Sequence, residues 1–126
     1  MTHLIYVALG GALGASGRHL VGLLSLRLFG ASFPVGTFVV NVVGSFLMGA
    51  LIAYLVKKGG ADSAQWRLFL ATGVLGGFTT FSAFSLDAVL LWERGQASSA
   101  IFYVLGSVVL SILALMAGLM LVRSAS

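Results

Sequence analysis

Thr37, Asn41 and Ser45 recur every fourth residue within an otherwise apolar segment, so their side chains fall on one helix face. Tyr103, Ser107 and Ser111 repeat that spacing in a later apolar segment. Hydroxyls and an amide in such places can donate hydrogen bonds to an anion, or join one membrane helix to another. Asn41, the strongest donor and acceptor of the six, is assigned to function and Ser45 to helix contact; on spacing alone the later stripe reads as packing. Phe81 and Phe84, three residues apart, share a helix face, where they can pack or turn the positive edges of their rings toward a small anion. Arg18 and Asp87 are charges set within apolar sequence. Arg18 admits two readings, a side chain snorkelling to a headgroup or one placed in a polar cavity or bonded to a neighbouring helix. Asp87 either faces a vestibule or approaches the far interface.

Other chemistry is thinly represented. The sequence contains no nucleophile beside a base, no phosphate-binding glycine loop and no carboxylate dyad, so the chain is read as no enzyme. With no cysteine and two separated histidines, neither a disulfide framework nor a His/Cys metal cluster is expected. Transport or conduction remains, and the intramembrane groups are mainly donors, which favours an anion.

These residues must be positioned by membrane helices. The 126 residues read as a single domain, 60% hydrophobic and 8% charged, with a mean hydropathy of +1.11, far from soluble composition. A net charge of +4 could suggest nucleic acid, but the seven basic residues are scattered near span ends and read as lipid-bilayer anchors. The stretch up to Gly17 lacks the basic region of a signal peptide, and its apolar pattern resumes after Arg18, so it is read as the first span. Four spans are expected, at about 4–29, 35–56, 66–92 and 98–122, at ~20 residues per crossing. Gly10, Gly14 and Gly17 recur at helical intervals and predict close approach of another helix. Pro34 suits the first turn of the second span. His3, His19, Tyr54, Trp66 and Trp92 are assigned to the interface or to packing.

The third span is longer than a straight crossing needs, and its middle reads GVLGGFTTFSAFS from Gly73 to Ser85. Glycine costs roughly 1 kcal/mol relative to alanine in a helix and permits positive φ. Gly73, Gly76 and Gly77 therefore predict a break near 76–80. Broken backbone at membrane depth persists only where protein or a polar cavity covers it. The half-helix ends would add oriented dipoles for an ion.

Four spans place both termini on one side. Lys57, Lys58, Arg67 and Arg123 lie with the termini, and Arg18, Arg27 and Arg94 lie opposite, a difference of one among seven. Orientation normally follows a clear Lys/Arg excess. This chain is weakly instructed, which permits insertion both ways up and an antiparallel pair of identical subunits.

Three motifs together, GGALGASGR from Gly10 to Arg18, GTFVVNVVGSFLMG from Gly36 to Gly49 and the Gly73–Ser85 stretch, resemble the Fluc/CrcB family of fluoride channels. The likeness extends over essentially the whole chain. It implies an all-α membrane protein with a broken third helix, assembled as an antiparallel, dual-topology homodimer in the bacterial inner membrane. Each dimer would hold two fluoride pores and export cytoplasmic fluoride passively, relieving its toxicity. Asn41, Phe81 and Phe84 are similar to the family's pore residues, and Thr37, Tyr103, Ser107 and Ser111 to its polar track. Gly76 and Thr79 would offer backbone carbonyls to a structural Na+ at the dimer centre. Asp87 stands where many relatives carry Glu, and His19 where an aromatic is commoner. The rival reading is a proton-coupled small multidrug exporter, which needs a membrane-embedded acid, typically in the first helix; here that helix offers Arg18 and no acid.

Overall fold

The computed structural model describes residues 2–125. Four helices are long and apolar enough to cross a membrane: Thr2–Phe29, Val35–Lys58, Ser63–Glu93 and Ala97–Ser124, here the first to fourth spans. The chain is a multi-pass membrane protein. The turns between spans use local chemistry. Gly30 adopts φ 77° and its N–H donates to Leu26 O, closing the first span, a left-handed ending that favours glycine. Pro34 directly precedes the second span, and its carbonyl accepts from the Phe38 N–H at 3.2 Å.

Small residues decide which helices touch. The second and fourth spans form the most extensive contact. At that seam a side chain on Gly49 would strike the Leu115 carbonyl, and one on Gly118 the Phe46 carbonyl. The first span packs against the leading half of the third. There Gly10 faces Phe69 O and Gly73, Gly14 faces Val74 O, and a Cβ on Gly77 would stand 2.7 Å from Gly11 O. Backbones this close gain dispersion contact and exclude lipid, which is how membrane helices associate without a hydrophobic driving force. The trailing half of the third span, Ser82–Glu93, lies on the fourth. Between them sits the densest core, Phe84, Leu91, Ala100 and Tyr103, with Phe33 and Phe38 against it.

The third span is interrupted, but not by its glycines. Arg67–Leu75 coils with the wider turn of a π-helix, Gly76–Phe78 continues helically, and regular structure resumes at Ser82. Gly76 has φ −62° and ψ −37°, ordinary helical values, whereas Thr79 is extended at φ −87° and ψ 159°. None of Gly73, Gly76 and Gly77 uses positive φ. Gly73 and Gly77 instead give the first span room to approach, and the chain opens just beyond them, at residues 79–81.

Candidate functional site

The break is held open by side chains from two neighbouring helices. Asn41 Nδ2 donates to Thr80 O at 3.0 Å, and the Thr80 N–H donates to Asn41 Oδ1 at 2.8 Å. One amide thus satisfies both backbone groups of a residue that has left the helix. From the first span, Arg18 Nε donates to Gly77 O at 3.1 Å. The Thr79 hydroxyl donates to Leu75 O at 2.9 Å, and the Thr79 N–H donates to the same carbonyl at 3.0 Å. The restart is prepared too, since Ala83 N–H donates to Thr80 Oγ1 at 3.2 Å. Gly44 makes room for this arrangement: a side chain there would strike the Thr79 methyl. Backbone groups freed inside a membrane cost several kcal/mol each unless paired, and here side chains pair the carbonyls of Leu75, Gly77 and Thr80 and the N–H groups of Thr80 and Ala83.

A structural Na+ held by the carbonyls of Gly76 and Thr79 was expected to satisfy the broken backbone. Among the described residues no three His, Cys, Asp or Glu side chains come together as metal ligands. The donors Arg18, Asn41 and Thr79 occupy the carbonyls of Gly77, Thr80 and Leu75. The break is stabilised by side-chain hydrogen bonds, and the Na+ assignment does not stand.

Beside the break lies an open groove of about 310 Å³. It brings together Asn41, Phe81, Phe84, Ser107 and Ser111 from the residues singled out by spacing, and adds Ser45 and Thr80. Ser45 had been assigned to helix contact, although its place on the Asn41 stripe was the signal that could have put it here. The backbone of Thr80 had no such signal. The oxygens of Ser107 and Ser111 are buried and have no hydrogen-bond partner among the described residues. Helical serines commonly donate back to the carbonyl a turn earlier; these two do not.

The two phenylalanines differ in environment. Phe84 is 7% exposed and Phe81 76% exposed, with ring centroids 5.6 Å apart at 52°. Phe84 in turn stacks on Tyr103 at 5.1 Å, and Tyr103 meets Phe33 edge to face at 5.4 Å. The result is a continuous aromatic ladder from the groove into the core. Tyr103, 1% exposed, does not line the groove. Its hydroxyl donates to Asp87 Oδ2 at 3.1 Å.

A larger cavity of about 540 Å³ opens toward the end of the bundle that carries the 30–34 turn. Thr37, Asp87 and Arg18 line it, joined by Arg94, His19 and Thr80. Thr80 borders both cavities, so the clamped residue stands where vestibule and groove adjoin. Two guanidinium groups against one carboxylate leave the vestibule positive, a field that concentrates anions. The sequence readings of Arg18 as cavity residue and as interhelical donor are both met by one side chain. Gly76 lies outside both cavities, while Thr79 lines the groove.

A polar cavity thus adjoins, at Thr80, a groove lined by hydrogen-bond donors beside an interrupted membrane helix. Comparison with known proteins gives the family. Residues 5–119 match the family model described as CrcB-like protein, Camphor Resistance (CrcB). The chain is 61% identical to the fluoride-specific ion channel FluC of Cereibacter sphaeroides, over 98% of this chain and 96% of that protein. It is 56% identical to FluC of Rhodopseudomonas palustris over 98% of both chains, and 52% identical to FluC of Caulobacter sp. over 98% of this chain and 96% of that one. The chain belongs to the CrcB/FluC family, whose members are ion channels and not enzymes.

Proposed function

We propose that this protein is a fluoride-selective channel of a bacterial inner membrane that lets cytoplasmic fluoride leave down its gradient and so relieves its toxicity. The observation that carries the reading is the pair of buried, unpartnered hydroxyls of Ser107 and Ser111 in the groove with Asn41, Phe81 and Phe84. A small, strongly hydrated anion enters a membrane only if donors replace its water. The two serines supply O–H groups one helical turn apart. The Asn41 amide has a second N–H beyond the one given to Thr80, and the phenylalanine rings can offer their positive edges. Among the described residues no Lys or Arg lines the groove, so an anion would be held by dipoles alone, weakly enough to leave again. Arg18, Arg94 and Thr37 would gather anions in the vestibule, and the Asp87–Tyr103 pair would border their route.

The pore is completed by a second, antiparallel copy, giving two pores per dimer. Support comes from Phe81, whose exposed ring is left at the open side of the groove, and from the near balance of basic residues between the two sides. The exporter alternative has no acid in the first span to carry its proton. Liposomes loaded with fluoride and chloride and containing the purified protein should release fluoride within seconds to minutes and retain chloride. Equal release of both ions refutes the selectivity.

A further inference from the structure

A separate cavity of about 340 Å³ lies at the other end of the bundle, where the 59–62 loop joins the second span to the third. Its apolar wall is made by Leu51, Leu55 and Leu70, residues of the spans themselves. Its polar wall carries Lys58 and Asp62. Tyr54 and Trp66, each 50% exposed, line it as well; such aromatics with a polar tip settle at headgroup depth. Lys58 Nζ sits 5.9 Å from the centre of the Tyr54 ring, close enough for the ring face to hold the ammonium. Lys58 and Asp62 face one cavity, yet no ion pair joins them among the described residues.

An apolar trough bearing one cation and one anion, each open to a partner, complements a zwitterionic lipid. Lysine alone would accept any phosphate, and a carboxylate beside it penalises a headgroup that is only anionic. The geometry points to a bound phospholipid with a primary-amine headgroup of the ethanolamine type. Its phosphate rests on Lys58, its ammonium donates to Asp62, and its acyl chain follows Leu51, Leu55 and Leu70. A choline headgroup has the same charges, but its methylated nitrogen cannot donate a hydrogen bond. A glycerol headgroup has no cation for Asp62. The assignment is independent of the ion pathway, which lies elsewhere in the bundle.

The test uses the full-length protein in nanodiscs of equimolar ethanolamine, choline and glycerol phospholipids, with retained lipid counted by native mass spectrometry. Wild type should retain the ethanolamine lipid about threefold over the choline lipid, the scale of one net hydrogen bond. Asp62→Ala, which removes the charge and the acceptor together, should abolish that preference and let the glycerol lipid equal or overtake the ethanolamine lipid. Lys58→Gln should lower retention of all three. Equal retention of ethanolamine and choline lipids by wild type overturns the site, as does strongest retention of the glycerol lipid. An ethanolamine preference that survives Asp62→Ala places the lipid elsewhere and overturns it too. Should a variant fail to fold, the wild-type comparison alone decides.

Discussion

Replacing Asn41 by leucine removes both hydrogen bonds that hold Thr80 outside the helix, the 3.0 Å donation to its carbonyl and the 2.8 Å acceptance from its N–H. Interhelical hydrogen bonds in membranes are worth about 0.6–1.7 kcal/mol each, so the clamp is worth roughly 1–3 kcal/mol. Leucine keeps the heavy-atom count and γ branch of asparagine, so the substitution removes the polar groups without opening a cavity. A local opening made easier by that amount is about 5- to 150-fold more populated. Hydrogen exchange measured by mass spectrometry on a peptide spanning residues 76–84 should therefore quicken by this factor in Asn41→Leu, while peptides from the seam between the second and fourth spans stay unchanged. Asn41→Asp keeps an acceptor for the Thr80 N–H but sets a carboxylate oxygen against the Thr80 carbonyl, and it should exchange at least as fast as wild type. Wild-type protection of the 76–84 peptide in Asn41→Leu would show that the break does not depend on this clamp.

Other consequences follow from the same contacts. Ser107→Ala and Ser111→Ala remove hydroxyls that have no hydrogen-bond partner among the described residues, so thermal stability should hold within about 0.5 kcal/mol while fluoride flux falls roughly tenfold or more, the scale of a lost bond to a charged group; a stability loss with normal flux would return them to packing. Phe81→Ile and Phe84→Ile should suppress flux from liposomes with the dimer intact on gel filtration, and wild-type flux would remove the rings from the pathway. Gly14→Ala drives a methyl into the Val74 carbonyl and should cost about 1–3 kcal/mol by thermal unfolding, whereas Gly11→Ala, with open space around its Cβ, should cost nothing and stabilise by up to about 1 kcal/mol. The chain has no cysteine, so Gln65→Cys reports topology cleanly: an impermeant maleimide should label about half the molecules from either side of the membrane if insertion is dual, and a single labelled side would exclude an antiparallel pair.

Periodicity marked the helix faces of Thr37, Asn41 and Ser45 and of Ser107 and Ser111, but on spacing alone it read Ser45 and the later stripe as packing; Asn41, Ser45, Ser107 and Ser111 line one groove. The glycine stripe of the first span foretold close packing for the same geometric reason. Spacing could not say what Asn41 would hold, because Thr80 is 39 residues away and offers its backbone rather than a side chain. Nor could it separate two roles for glycine: the cost of Gly73 and Gly77 in a helix is the same whether they break it or let a neighbour in, and only the position of the first span decides. Tyr103 shares the stripe of Ser107 and Ser111 but is drawn into the core by Phe84, Phe33 and Asp87. The Na+ expectation failed for another reason: among the described residues no cluster of metal-ligating side chains forms, and Arg18 and Asn41, which reach the neighbouring carbonyls of Gly77 and Thr80, come from other parts of the chain.

The most direct test of the central claim is the reversal potential of current carried by the purified protein in a planar bilayer under a fluoride gradient. A passive fluoride channel places the reversal at the fluoride equilibrium potential, about 59 mV for a tenfold gradient of a monovalent ion, and an imposed chloride gradient leaves it there. A reversal that follows chloride, or fluoride flux with no accompanying current, would contradict the account.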